Sequence, residues 1–234
     1  MERRLELVIE EANAWIHDLE NLPHDKKAYE RYRHGQFNIR FTARTVQRET
    51  ERLCKRLLKE PSLIPFRDYI LALFAEHARL EQKAHWVSKV PRYVLMAPLL
   101  KQTMPTMRFI HCVRDPRMAI ASMSSRTWAP KTLNEQIEYW RINVERGAEF
   151  TRRFPSDSIE KRYEDLTDDP PETLSKIFRW LDLPDEAASI VEDYQREFPI
   201  SRDHSQPRSE MRESDLSLIH SALGNLMRQY RYMP

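Results

Sequence analysis

Residues 107–126 read MRFIHCVRDPRMAIASMSSR and predict a strand, a tight turn and a helix. The apolar run Phe109–Val113 is typical of a strand that is buried on both faces of a parallel sheet. Asp115 is a good N-cap, and Pro116 suits the first helical position because its missing N–H would have no helical partner. Residues 117–126 contain no Gly or Pro, so the pattern predicts that the helix continues to Arg126.

The predicted turn has the chemistry of an anion site. In α/β proteins, a helix that begins at the carboxyl end of a parallel strand presents free N–H groups and the positive end of its dipole to ligands. Arg114 lies at the strand end, and Ser122 and Arg126, four residues apart, are predicted to share one helix face. Two guanidinium groups and a hydroxyl would suit a phosphate. The alternative is a surface ion pair between Arg114 and Asp115, with Arg126 on a solvated face.

The overall composition narrows the classes of function. The 234 residues carry 38 Lys and Arg against 36 Asp and Glu, a net charge of +2, which argues against nucleic acid as a partner. No apolar run approaches the roughly 18 residues that span a bilayer, and no signal-peptide core follows Met1. The two cysteines predict a reducing, cytoplasmic location. The three glycines are isolated from one another, so no Gly-rich phosphate loop is visible.

Apolar spacing elsewhere predicts an α/β fold in one domain. Residues 1–85 are expected to be a helical N-terminal part, and residues 86–234 a nucleotide-binding core with C-terminal helices, without a linker between them. The expected strands, besides Phe109–Val113, are Trp86–Val90 and the run Ser158–Leu166, in a short parallel sheet. Helices are expected over residues 1–20, 40–58, 68–82, 92–103 and 214–230. A further helix should run from a cap at Thr132 or Asn134 to residue 154, and another should begin at residues 168–171.

Three segments together resemble the sulfotransferases that use 3′-phosphoadenosine 5′-phosphosulfate (PAPS), of the bacterial or tyrosylprotein type. Arg108–Arg117 is similar to the family's R-F-I-x-x-x-R-D-P-R strand and turn, and the Ser and Arg that follow keep the family's spacings. Trp86–Pro91 is similar to W-x-x-K-T-P, with Val90 in place of Thr. Residues 162–184 are similar to R-Y-E-D-L-x-x-D-P followed by F-L-x-L-P. The resemblance covers about residues 86–230.

The resemblance implies a P-loop NTPase-like sulfotransferase fold, with a short parallel sheet flanked by helices. It implies PAPS as the sulfuryl donor, no metal, and a hydroxyl or amine acceptor on a small molecule, carbohydrate, lipid or peptide. By the family's pattern Lys89 stabilises charge on the leaving phosphate. Arg114, Ser122 and Arg126 would hold the 3′-phosphate, and Tyr163 would lie near it.

Other positions carried over from the family are weaker. Residues 200–208 correspond to the loop that covers the nucleotide, where Ser205 and Arg208 are candidates to contact it. Trp128 and Tyr139 would lie near the acceptor. The catalytic base is left open, because Pro91 stands where some relatives have His. The alternatives are Glu11, His77, Glu81 and His85.

One departure from the family divides the functional hypotheses. Nothing here matches the strand and the R-S-G-T-T loop that bind the 5′-phosphosulfate, so the N-terminal strand and P-loop are expected to be missing or diverged. The first hypothesis is a PAPS-dependent sulfotransferase. The second is a truncated, catalytically inactive relative that acts as a nucleotide-binding or interaction module. Three explanations of the missing strand stay open: the chain is truncated at its start, a second copy or a partner chain supplies the strand, or the fold is rearranged and catalysis is lost.

Overall fold

The computed structural model describes residues 2–21, 41–124, 126, 129–183, 190–193, 196 and 211–233. The chain divides into two compact units, Met1–Lys89 and Val90–Pro234. The first unit contains helices α1 (Glu2–Asn21), α2 (Ala43–Leu57) and α3 (Ile64–Leu80). The helical character predicted for the N-terminal part is therefore confirmed where the chain is described. The arrangement as a single domain stays a prediction.

The first unit is held together by aromatic packing between its three helices. Phe41, just before α2, lies edge-on to Trp15 at 5.7 Å and to Phe74 at 6.0 Å between ring centroids. Thr42 caps α2 by accepting a hydrogen bond from the Thr45 N–H at 3.1 Å. Leu58 follows the last residue of α2 and is 68% exposed.

The second unit is an α/β arrangement around two strands. Helix α4 (Tyr93–Thr103) precedes β1 (Phe109–Val113), which leads into α5 (Pro116–Ser124) and α6 (Leu133–Arg153). Strand β2 (Ser158–Arg162) then continues into α7 (Tyr163–Asp168) and α8 (Pro170–Trp180), and α9 (Glu213–Gln229) lies near the end. The strands are parallel, and Phe109 is paired with Ser158 and Val113 with Arg162. The described part of the chain therefore supports the α/β class with a short parallel sheet.

Helix α6 is the element on which the second unit packs. It contacts both strands, α4, α5 and α9. A capping box sets its start: the Thr132 hydroxyl accepts from the Glu135 N–H, and the Glu135 carboxylate accepts from the Thr132 N–H. Its inner face carries Ile137, Trp140 and Val144, spaced three and four residues apart and all buried.

Three predictions about strands are wrong in whole or in part. Residues 86–90 form no strand, and Trp86 instead stacks on Phe74 with 3.9 Å between ring centroids. Strand β1 is buried on one face only, since Ile110 is 40% exposed and Cys112 is also exposed. Helix α6 covers only the side of β1 toward which His111 points, because side chains alternate between the two faces of a strand. The strand predicted from Ser158 to Leu166 ends at Arg162, and α7 begins at Tyr163.

Candidate functional site

The turn between β1 and α5 forms as the sequence predicts. The Asp115 carboxylate accepts a hydrogen bond from the Arg117 N–H at 2.9 Å, and its carbonyl accepts from the Ala119 N–H at 2.8 Å. Pro116 occupies the first position of α5. Asp115 therefore is the N-cap, and the helix begins directly after the carboxyl end of a parallel strand.

Asp115 does not pair with Arg114. Its carboxylate accepts two hydrogen bonds from Arg117 Nε, at 2.9 and 3.1 Å, in a pair of which both members are buried. The alternative of a surface ion pair between Arg114 and Asp115 is therefore wrong. Because Arg117 neutralises Asp115, the charge of Arg114 is available for another anion.

The Arg114 side chain is held in place by an aromatic ring rather than by a carboxylate. Its guanidinium carbon lies 4.5 Å from the centre of the Tyr163 ring, at the start of α7. The indole N–H of the buried Trp140 donates to the Arg114 carbonyl at 3.1 Å. Arg114 Nε is buried and has no hydrogen-bond partner in the part of the chain that the structure describes. A buried donor of this kind is open to an acceptor supplied by water or by a bound anion.

The other two predicted phosphate ligands are placed differently from the prediction. Ser122 lies on α5 and is half-buried. Arg126 is exposed and lies beyond the helix, which ends at Ser124, so these two residues do not share a face of one helix. At the end of the helix the Ser124 hydroxyl donates to the Ile120 carbonyl at 2.9 Å, and the Arg126 N–H donates to the Met123 carbonyl at 2.8 Å, so carbonyls of the last turn have partners.

Lys89 is exposed and lies in a segment without regular structure at the end of the first unit. The predicted strand end that would have positioned it is absent. Among the alternatives for the base, Glu11, Glu81 and His85 are exposed, and the His77 ring packs against Phe41 at 5.8 Å. Trp128, Ser205 and Arg208 lie outside the described residues. Tyr139 is half-buried on α6.

The sequence did not predict the hydrogen bonds that hold the backbone of the turn, although the family's pattern gives Glu164 a role in supporting the fold. The Asp115 N–H donates to Glu164 Oε1 at 3.0 Å, and the Tyr232 hydroxyl donates to Glu164 Oε2 at 3.0 Å. Burial, reinforced by the Glu164 carboxylate, raises the pKa of Tyr232 far above its usual range. The only signal for Glu164 was its place in the family's R-Y-E-D-L segment. No local pattern marked Tyr232.

The geometry can bind an anion at the carboxyl end of β1. It brings together two of the predicted ligands, Arg114 and Tyr163, next to the start of α5. The Arg114 Nε has no hydrogen-bond partner in the described residues. Charged guanidinium donors and helix N-termini are the groups that bind phosphate in proteins. The residues present therefore fit the phosphate group of a nucleotide.

Comparison with known proteins gives one finding. A family model described as "Sulfotransferase family" matches residues 4–187. The match begins far upstream of residue 86 and stops before residues 200–208, so it covers more of the N-terminal helices and less of the C-terminal part than the sequence motifs indicated. The searches of curated proteins and of solved structures found no match.

Proposed function

The chain belongs to the sulfotransferase family, and we propose that it transfers a sulfuryl group from PAPS to a hydroxyl or amine acceptor. The proposal includes a P-loop NTPase-like fold. Arg114 carries the proposal, because its buried Nε lacks an acceptor in the described residues while its guanidinium is held over Tyr163 at the end of a parallel strand. When bound, PAPS supplies an activated sulfuryl group.

The residues of this chain have distinct roles in the proposal. Arg114 binds the 3′-phosphate and Tyr163 lies beside it, with Ser122 and Arg126 as further candidates. Because Asp115 is neutralised by Arg117, the turn presents net positive charge to the ligand. Lys89 is the cation assigned to the charge that develops on the leaving phosphate.

A nucleotide-binding module without catalytic activity is the second candidate. The observation that favours it is the position of Lys89, which is exposed and outside any strand. A catalytic cation must be held in place before the reaction, because reorganising it would raise the barrier. Partner chains, whether a second copy or another protein, belong to this proposal as well.

The test is calorimetric titration with adenosine 3′,5′-bisphosphate, which is PAPS without its sulfuryl group. We expect saturable binding by the wild type and a loss on the order of ten- to hundredfold in Arg114→Ala, the effect of removing a charged hydrogen-bond partner. Arg146→Ala is the matched control, since Arg146 is an exposed arginine paired with Glu149 on α6. It should bind like the wild type.

The outcomes separate the two candidates. Binding that depends on Arg114, together with transfer of labelled sulfate from PAPS to an acceptor panel, supports the enzyme. The same binding without transfer supports the binding module. An equal loss in Arg114→Ala and Arg146→Ala would indicate only nonspecific attraction of an anion, and it would contradict the site.

A further inference from the structure

A buried polar network lies beneath the turn that carries Arg114. The hydroxyl oxygen of Tyr232 lies 3.0 Å from Glu164 Oε2 and 3.2 Å from the Val113 carbonyl oxygen, so its proton is shared between two acceptors. The other oxygen of Glu164 accepts from the Asp115 N–H at 3.0 Å. The phenol therefore connects to the residues on both sides of Arg114, directly to Val113 and through Glu164 to Asp115.

The backbone of Tyr232 makes a second connection to the same turn. Its carbonyl accepts from Arg117 Nη2 at 2.9 Å, and Arg117 is also the partner of the Asp115 carboxylate. Residues 113, 115 and 117 are therefore all tied to one residue that follows them by more than a hundred positions. Tyr232 is buried, and the Arg162 guanidinium lies 5.0 Å from the centre of its ring.

The protonation state of Tyr232 suits this arrangement. Burial first, and then the Glu164 carboxylate, hold the pKa of the phenol well above its usual range. The hydroxyl therefore stays a donor across the pH range in which the protein would be handled. Glu164 needs such a donor, because a carboxylate largely removed from water costs free energy unless its oxygens are hydrogen-bonded.

We propose that Tyr232 is a positioning residue that sets the place of Arg114 for anion binding by bracing the backbone on both sides of it. This inference rests on the proposed function, since it names a further residue that serves the same phosphate site. Tyr232 does not touch the ligand in this account. It acts through Val113, Glu164 and Asp115.

A matched control distinguishes this positioning role of Tyr232 from a role in stability alone. Tyr230 is also buried, and its hydroxyl donates to a carboxylate, Glu160 Oε2, at the same distance of 3.0 Å. The two tyrosine rings stack with 6.3 Å between their centroids. Glu160 bonds to His111 of β1, and among the described residues it makes no hydrogen bond or ion pair with residues 113–117. Tyr230→Phe therefore removes the same kind of hydrogen bond without loosening the turn.

The experiment compares Tyr232→Phe, Tyr230→Phe and the wild type. Affinity for adenosine 3′,5′-bisphosphate is measured by calorimetry well below each protein's unfolding midpoint. Amide hydrogen exchange is followed by mass spectrometry in peptides covering residues 109–124. For Tyr232→Phe we expect affinity to fall roughly three- to tenfold, the range for one net hydrogen bond, and exchange in this segment to quicken. Tyr230→Phe should match the wild type in both.

Each result decides the inference. Unchanged affinity in Tyr232→Phe, or an equal loss in both variants, would overturn it, because the network would then serve stability alone. If the wild type does not bind the bisphosphate, the proposed function fails. In that case faster hydrogen exchange confined to Tyr232→Phe would still support bracing of the turn. Equal exchange in all three proteins would refute the bracing. If Tyr232→Phe does not fold, Glu164→Gln tests the same link by the same two readouts.

Discussion

Replacing Gly147 by alanine tests the packing of α6 against β1. A methyl group added at Gly147 would overlap the imidazole ring of His111, which is 7% exposed. The ring has little room to move, because its Nδ1 pairs with Glu160 Oε2 at 2.8 Å. Gly147 is thus required for the close approach of the helix to the strand rather than for its backbone conformation.

Two opposing effects determine the expected magnitude. Alanine in a helix interior is more favourable than glycine by about 0.5–1 kcal/mol, because glycine loses more backbone entropy on folding. Overpacking a core typically costs about 1–3 kcal/mol. The difference leaves Gly147→Ala destabilising by up to about 2.5 kcal/mol in the free energy of unfolding.

Gly224→Ala provides the matched control. Gly224 lies in α9, and an added methyl group would approach no closer than 3.7 Å to the Arg228 side chain, an ordinary contact. Only the favourable helix effect remains, so this variant should gain up to about 1 kcal/mol. The same substitution is thus predicted to have opposite signs in two helices of one unit.

Urea unfolding followed by circular dichroism measures both variants against the wild type. His111→Ala combined with Gly147→Ala should show that the penalty disappears when the ring is removed, which is the coupling expected of residues in contact. If Gly147→Ala is as stabilising as Gly224→Ala, the close approach of α6 to His111 is wrong.

Two further predictions concern interactions outside the site. Lys101→Met should lower the free energy of unfolding by about 1–3 kcal/mol, because the nearly buried ammonium donates to the carbonyls of Pro105 and Met107 and pairs with Asp157 at 3.0 Å. Equal urea midpoints would contradict this. Hydrogen bonds from Thr132 hold the pKa of Glu135 below its usual value. The wild type should therefore be more stable than Glu135→Ala above about pH 4.3, and this advantage should be lost as the pH falls through the lowered pKa. An advantage that persists at low pH would refute the prediction.

Features set by neighbouring residues could be predicted from the sequence. Asp115 and Pro116 mark the start of α5, Thr132 with Glu135 marks the start of α6, and Asp169 caps α8 by accepting from the Glu172 N–H at 3.1 Å. These signals act over three or four positions, within reach of a side chain and the backbone N–H groups that follow it. The order of strand, turn and helix was therefore predictable.

Features that depend on distant residues could not be predicted from the sequence. The extension of α5 to Arg126 and the strand at residues 86–90 both failed, since helix ends and strands depend on partners that local spacing does not reveal. Burial of both faces of β1 failed for the same reason, because α6 covers only the side on which His111 lies.

The candidate site divides in the same way. The sequence by itself determined that Arg114 would stand at the end of a strand before a helix, and the family's motif placed Tyr163 near it. Only the tertiary structure decided that Asp115 would be neutralised by Arg117 and that Tyr232, 117 residues after Asp115 in the chain, would brace the turn through Glu164. Hydrogen bonds between such distant residues form only when the elements pack, because nothing in the local backbone brings them together.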